Sequence, residues 1–244
     1  MKKKLLAIFL LVSSLIFSED RILSFEQITL DEKNELIYAI GEKTPYTGIV
    51  EDYKFFIEDR FLEGRVIFKN GLMEGTFKVL YPNGKIARIM IYKNGKTEGI
   101  QKVYYESGII KRETSHKNGL VDGLMKSYYP NGNIQSEVLV KKDVRDGITR
   151  TYDPNGKLKV EISYQNGVQV GVQKGYYPSG KLKIELPLDK NGLTNGIVKI
   201  YYPSGKIMSE ESYKDDKLEG TVKIYDESGK IISEEFFKNG NRIK

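Results

Sequence analysis

The chain has 244 residues, no cysteine, one histidine and a formal net charge of +6. The missing cysteine excludes disulfides, thiolate metal sites, a cysteine nucleophile and a lipoprotein cleavage point. Residues 1–18 carry three lysines and no acid, so without them the charge is +3; this mild, interspersed balance is not the clustered basic patch that nucleic-acid binding requires, and no nucleic-acid partner is expected.

In chain order, Lys2, Lys3 and Lys4 form a basic start, Leu5 to Phe17 an apolar stretch of 13 residues, and Ser18 a small residue at a cleavage point. Such a stretch is too short to span a bilayer as a helix and reads as a signal peptide over 1–18. The expected location is therefore periplasmic, outer-surface or secreted, with no membrane association beyond export. Residues 19–45 read as an N-terminal cap, with a strand over Glu35-Leu36-Ile37-Tyr38-Ala39-Ile40.

From about Gly48 to the end a 24-residue period takes over. A turn tripeptide recurs with its glycine at Gly84, Gly108, Gly132, Gly156, Gly180, Gly205 and Gly229, spaced 24, 24, 24, 24, 25 and 24. A second glycine keeps the same step nine residues earlier, from Gly75 to Gly220. Fixed self-similarity means stacked supersecondary units rather than one globular core. Strand-length segments lie on both sides of each tripeptide, and Asn-Gly is a strong hairpin signal. A second punctuation, Lys-Asn-Gly, as at Lys93-Asn94-Gly95, links one hairpin to the next.

With each tripeptide glycine as position zero, −6 is basic in seven units and +5 is acidic in six. A two- or four-residue loop places them opposite one another, predicting pairs Lys102–Glu113, Lys126–Glu137, Arg150–Glu161, Lys174–Glu185, Lys199–Glu210 and Lys223–Glu234. In the divergent first unit Glu51 and Arg65 swap the charges. The same register sets the −9 glycine opposite +8, a column including Tyr92, His116, Tyr164 and Phe237; the reading is that the glycine makes room for the opposing side chain. One face is assigned Ile or Leu at +2 with the +8 residues and is the expected buried side. The other carries the charged pairs and a tyrosine column at −4: Tyr104, Tyr128, Tyr152, Tyr176, Tyr201 and Tyr225.

The unit Gly-x-x-Lys-x-Tyr-Tyr-Pro-Asn-Gly-Lys-Leu-Lys-x-Glu, followed by x-x-Tyr-Lys-Asn-Gly, resembles the bacterial MORN-repeat variant over residues 46–244, about eight units. The resemblance implies an all-β protein of tandem antiparallel β-hairpins in an elongated, twisted, single-layer sheet. It also implies a binding or scaffolding role, and some relatives carry a YwqK-like antitoxin label.

No catalytic, cofactor or metal site is expected. His116 occupies a column otherwise held by tyrosines, and a metal needs several ligands. Each column glutamate already has a basic partner, which weakens a glycosidase reading. The six tyrosines of the −4 column are the candidate partner-binding residues, since tyrosine supplies contact area at low entropy cost. The resulting expectation is an exported, non-catalytic repeat scaffold that binds a protein or glycan surface partner, with a homodimer contact offered by the terminal edge strand. The alternative is an antitoxin-like or immunity protein, and an envelope glycan-acting enzyme ranks below both.

Overall fold

The computed structural model describes residues 21–57 and 60–243, and the expected signal peptide lies outside them. Twenty strands form one open sheet, and a two-stranded sheet stands beside it. Successive strands pair antiparallel from Gly48–Ile57 to Asn241–Arg242. The sheet is mixed because Ile22–Leu23 runs parallel to the first long strand, with Ile22 opposite Ile49.

The register follows the charge columns. Lys102 lies opposite Glu113, Lys126 opposite Glu137, Arg150 opposite Glu161 and Lys174 opposite Glu185. Lys199 opposes Glu210 and Lys223 opposes Glu234. The turn that delivers this register differs from the expected one. At Pro82-Asn83-Gly84 only the glycine has positive φ. Tyr81 N–H donates to Lys85 O and Gly84 N–H to Tyr81 O, which makes a three-residue loop. A bulge then shifts the pairing, so that Val103 opposes Arg112 but Tyr104 opposes Ile110. Consecutive left-handed residues, the mark of a two-residue type I′ turn, occur instead at the linkers, as at Asn94 (φ 50) and Gly95 (φ 74).

The bulge also corrects the assignment of faces. Directly opposed residues share a face, so Ile110 and Ile134 lie on the side of Tyr104 and Tyr128, not on the opposite side. A bulge adds one residue to one strand and inverts the alternation beyond it. The more buried face carries −7, −5, +4, +6 and +8, including Val103, Val138, Val140 and Val198.

At Gly123 and Gly147 the crowding has a different source from the expected one. Gly123 does oppose Val140, but a Cβ there would meet Ser115 Cβ of the preceding hairpin at 2.9 Å. Between the hairpins, Thr114 opposes Met125 and His116 opposes Val121, so three residues face the single Ser115. The glycine with φ 125° is the middle residue of that bulge.

The densest packing lies at the N-terminal end. Strands Ile28–Asp31 and Leu36–Ala39 pair, and Ile37 and Ala39 join Val50, Leu62, Val66 and Phe68 in one buried cluster. Tyr46 anchors it: its hydroxyl donates to Arg21 O at 2.8 Å and Ile49 O at 2.9 Å. The first hairpins are therefore covered by a second layer, whereas the later ones rely on their neighbours along the array.

Candidate partner-binding face

The charged pairs are rungs of a longer structure. Glu113 opposes Lys102 within its hairpin and Lys126 of the next hairpin. The same double pairing holds for Glu137 with Arg150, Glu161 with Lys174, Glu185 with Lys199 and Glu210 with Lys223. An unbroken row of alternating charge thus crosses from Lys102 to Glu234. Ion-pair distances are 2.9 Å for Lys102–Glu113, 3.1 Å for Lys126–Glu137 and 2.7 Å for Arg150–Glu161. Lys199–Glu210 and Lys223–Glu234 are looser at 3.6 Å. Arg65 pairs with Glu51 at 3.2 Å, as the charge swap requires. Lys174 and Glu185 are opposed but form no ion pair, and Glu185 accepts instead from Tyr201. Half-exposed pairs of this kind contribute about 0.2–1 kcal/mol each, so their main effect is on register.

The tyrosine column closes the row from the side. Tyr128 OH donates to Glu113 at 2.7 Å and Tyr152 OH to Glu137 at 2.9 Å. Tyr201 OH donates to Glu185 at 2.7 Å and Tyr225 OH to Glu210 at 2.8 Å. In each case the acid belongs to the preceding hairpin, so these hydroxyls join hairpins rather than point to solvent. For Tyr104 the corresponding +5 residue of the preceding hairpin is Ile89, which has no acceptor, and the Tyr104 backbone carbonyl accepts from Tyr81 OH. Tyr176 makes no corresponding bond, and Glu161 is held by Arg150 Nε.

Burial first, and then the bond to Glu113, push the Tyr128 hydroxyl up to about 12. Tyr201 is pushed up to about 12 by burial and Glu185. Glu113 is held below the usual carboxylate range by Tyr128 and then Lys102. A phenol whose folded pKa exceeds its unfolded value of about 10 stabilises the fold fully below pH 10. That contribution is lost as pH rises toward 12. Tyr128→Phe is expected to cost about 1 kcal/mol at neutral pH. In urea unfolding it should also lose less stability than the wild type between pH 10 and 12, and an unchanged slope would refute the assignment.

A second aromatic column escaped sequence reading. At −3, Tyr81, Tyr105, Tyr129, Tyr177 and Tyr202 each donate to the carbonyl of the next hairpin's −4 residue at 2.6–2.9 Å. Where aspartate stands there, as at Asp153, its carboxylate caps its own turn through Asn155 N and Lys157 N. The repeated Tyr-Tyr pair was the available signal, but only one of the two was placed.

On the same face, beyond the charges, lies the −8/+7 row. Ile148 opposes Ser163 and Leu139 opposes Leu124. Ile100 (50% exposed), Val172 (47%) and Ile197 (50%) form with Ile148 and Leu139 an apolar row open to solvent. The sequence analysis did not single out these residues. His116 stands opposite Gly99, with Nδ1 3.1 Å from Thr114 O. Among the described residues no three His, Asp or Glu side chains are placed to hold a metal ion.

A regular array of hairpins, each bonded to the next by the same contacts, defines a repeat scaffold. The MORN repeat variant matches seven successive stretches of this chain, residues 73–94, 97–118, 121–142, 145–166, 169–190, 194–215 and 218–239, and the chain belongs to that family. The hairpin from Gly48 to Lys69 lies outside the matched stretches, with ten residues in each strand. A search of curated proteins finds none that matches the chain.

Proposed function

We propose that the chain is an exported, non-catalytic scaffold that binds a protein partner along the face bearing the charge row. The carrying observation is the exposed apolar row of Ile100, Leu139, Ile148, Val172 and Ile197 beside charges that are already paired with one another. Leu139 and Ile148 adjoin at the seam between hairpins, with Ser115 and Ser163 interrupting the row on either side; exposed apolar surface rimmed by polar groups is the usual form of a protein interface. Internally neutralised charges give a polyanion little purchase, which favours a protein over a nucleic acid or an anionic surface. Sixteen long strands at about 4.8 Å spacing extend this face to roughly 70 Å, enough to engage an elongated partner. Export rests on the basic and apolar leader over residues 1–18.

The inward bonds of the tyrosine hydroxyls move the binding role from that column to the adjacent apolar row. The test is a cross-linking pull-down with residues 19–244 as bait, run beside the variant Ile148→Glu/Val172→Glu. Both positions are solvent-exposed, so the variant should fold as the wild type does by circular dichroism. The expected result is one dominant protein captured by the wild type and lost by the variant. Equal capture by both, or retention on glycan alone, would sink the proposal. Capture of a toxin would identify the same face as that of an antitoxin-like or immunity protein.

A further inference from the structure

A repeat array provides its own reference, because each column shows what the fold requires and departures mark residues it does not ask for. On the more buried face, the +4 column has Arg88 and Arg112 in two adjacent hairpins, then Ser136, Val160, Ile184 and Ser209. The two arginines lie in one row, each directly opposite Val103. With a single strand between them, their backbones are about 10 Å apart.

Neither arginine forms an ion pair among the described residues. Arg88 Nη2 donates to Gln101 Oε1 at 3.2 Å, while Arg88 Nε is buried without a protein acceptor. Gln101 is only 3% exposed, and its Nε2 donor also lacks a partner. Burial pushes the Arg88 pKa down, opposed by Tyr92 and aided more weakly by the Arg112 charge. In the columns of this face the first carboxylate in chain order is Glu211, four hairpins beyond Arg112. Positive charge therefore gathers where no carboxylate of these columns balances it, and Arg88 and Gln101 keep unfilled donors. Beside Arg112 lies a cavity of about 210 Å³ lined by Arg112, Val103, Tyr105, Lys111, Ser127 and Tyr128, and Arg88 stands across Val103 from it. Lys111 Nζ stands 5.5 Å from the centre of the Tyr105 ring.

We propose that this patch is an oxyanion site, in which a carboxylate or phosphate group seats in the cavity against Arg112, with the charge of Arg88 behind Val103 adding to the attraction. Guanidinium groups bind both oxyanions through paired N–H donors. An uncompensated, half-buried charge is costly to a fold, and an anion bound at Arg112 would offset part of that cost at Arg88 across Val103. The site lies on the face opposite the apolar row, so it stands or falls separately from the partner-binding proposal.

The test is thermal unfolding of the full chain in sodium phosphate and in sodium succinate, each against sodium chloride at matched ionic strength. Such anions also stabilise proteins non-specifically, so the quantity to read is wild type minus Arg112→Gln. Arg112 is solvent-exposed, and the variant should match the wild type in chloride. At tenfold excess over the dissociation constant, the wild type should rise about 3 °C more than the variant. A rise confined to phosphate identifies a phosphate ligand, and one produced by succinate identifies a carboxylate. Equal rises in both proteins with both anions overturn the site. If Arg112→Gln disturbs the fold, calorimetric titration of the wild type with the same anions decides, and no heat at millimolar anion overturns the site. Arg88→Met should raise the midpoint in chloride and diminish the anion response.

Discussion

Gly147→Val is expected to lower the unfolding free energy by about 3–4 kcal/mol, because two independent penalties meet at one residue. The backbone there has φ 120°, outside the range a β-branched residue accepts. A Cβ would also lie 2.8 Å from Leu139 Cδ1 and 3.0 Å from Leu139 Cβ, both in the preceding hairpin. Leu139 is itself held by Val138 and Val140, which are opposed by Thr149 and Arg145 on either side of the bulge. The exposed Leu139 Cδ1 can swing toward solvent, but its Cβ moves only with the strand, so relieving that contact strains the seam between hairpins. Gly171 supplies the control: its φ is 73°, but a Cβ would meet nothing within 4 Å. Gly171→Ala should cost only about 1 kcal/mol. Urea unfolding of the two variants separates clash from backbone strain. Similar small losses in both would show that the seam is softer than the distances imply.

Phe68→Ala is expected to cost about 3–5 kcal/mol, and to do so locally. Phe68 is 1% exposed and packs against Tyr46 and Tyr53, with ring centroids at 6.3 and 5.7 Å. Every described side chain with less than 2% exposure among the largest buried residues lies between Tyr46 and Met90. Removing the ring empties the centre of the two-layered part of the described residues. In an array whose hairpins touch only their neighbours, the loss should fade with distance. Hydrogen exchange should accelerate over residues 21–92 while strands beyond Leu120–Tyr128 keep their protection. Uniform acceleration along the chain would mean that the array unfolds as one cooperative unit.

Much of the fold was legible in the residues because the same experiment is repeated along the chain. The columns of Lys or Arg at −6 and Glu at +5 fixed the register of each hairpin, and the pairings from Lys102–Glu113 to Lys223–Glu234 follow it. The candidate site was less legible. The −4 tyrosines were visible as a column, but the destination of their hydroxyls was not, since Tyr128 bonds to Glu113, 15 residues earlier and in another hairpin. The apolar row at Ile100, Ile148 and Val172 drew no notice because isolated β-branched residues in a strand pattern read as core.

The sequence by itself determined the period, the antiparallel hairpin and its internal register, since these depend on residues within about a dozen positions of one another. Tertiary structure alone decided how one hairpin meets the next. Asn83 can adopt left-handed or right-handed φ; the three-residue loop closed by Tyr81 and Lys85 goes with a bulge at Ala87, between the Val79–Arg88 and Leu80–Ile86 pairs, and the type I′ geometry falls to Asn94-Gly95. Gly123 and Gly147 are required by Ser115 and Leu139 of the neighbouring hairpin rather than by the residue across their own. Glu113 sits between Lys102 and Lys126 only once two hairpins are side by side. The glycine contact and the shared glutamate join residues of different copies, and identical copies carry no mark in their own sequence of the contact that stacking will create.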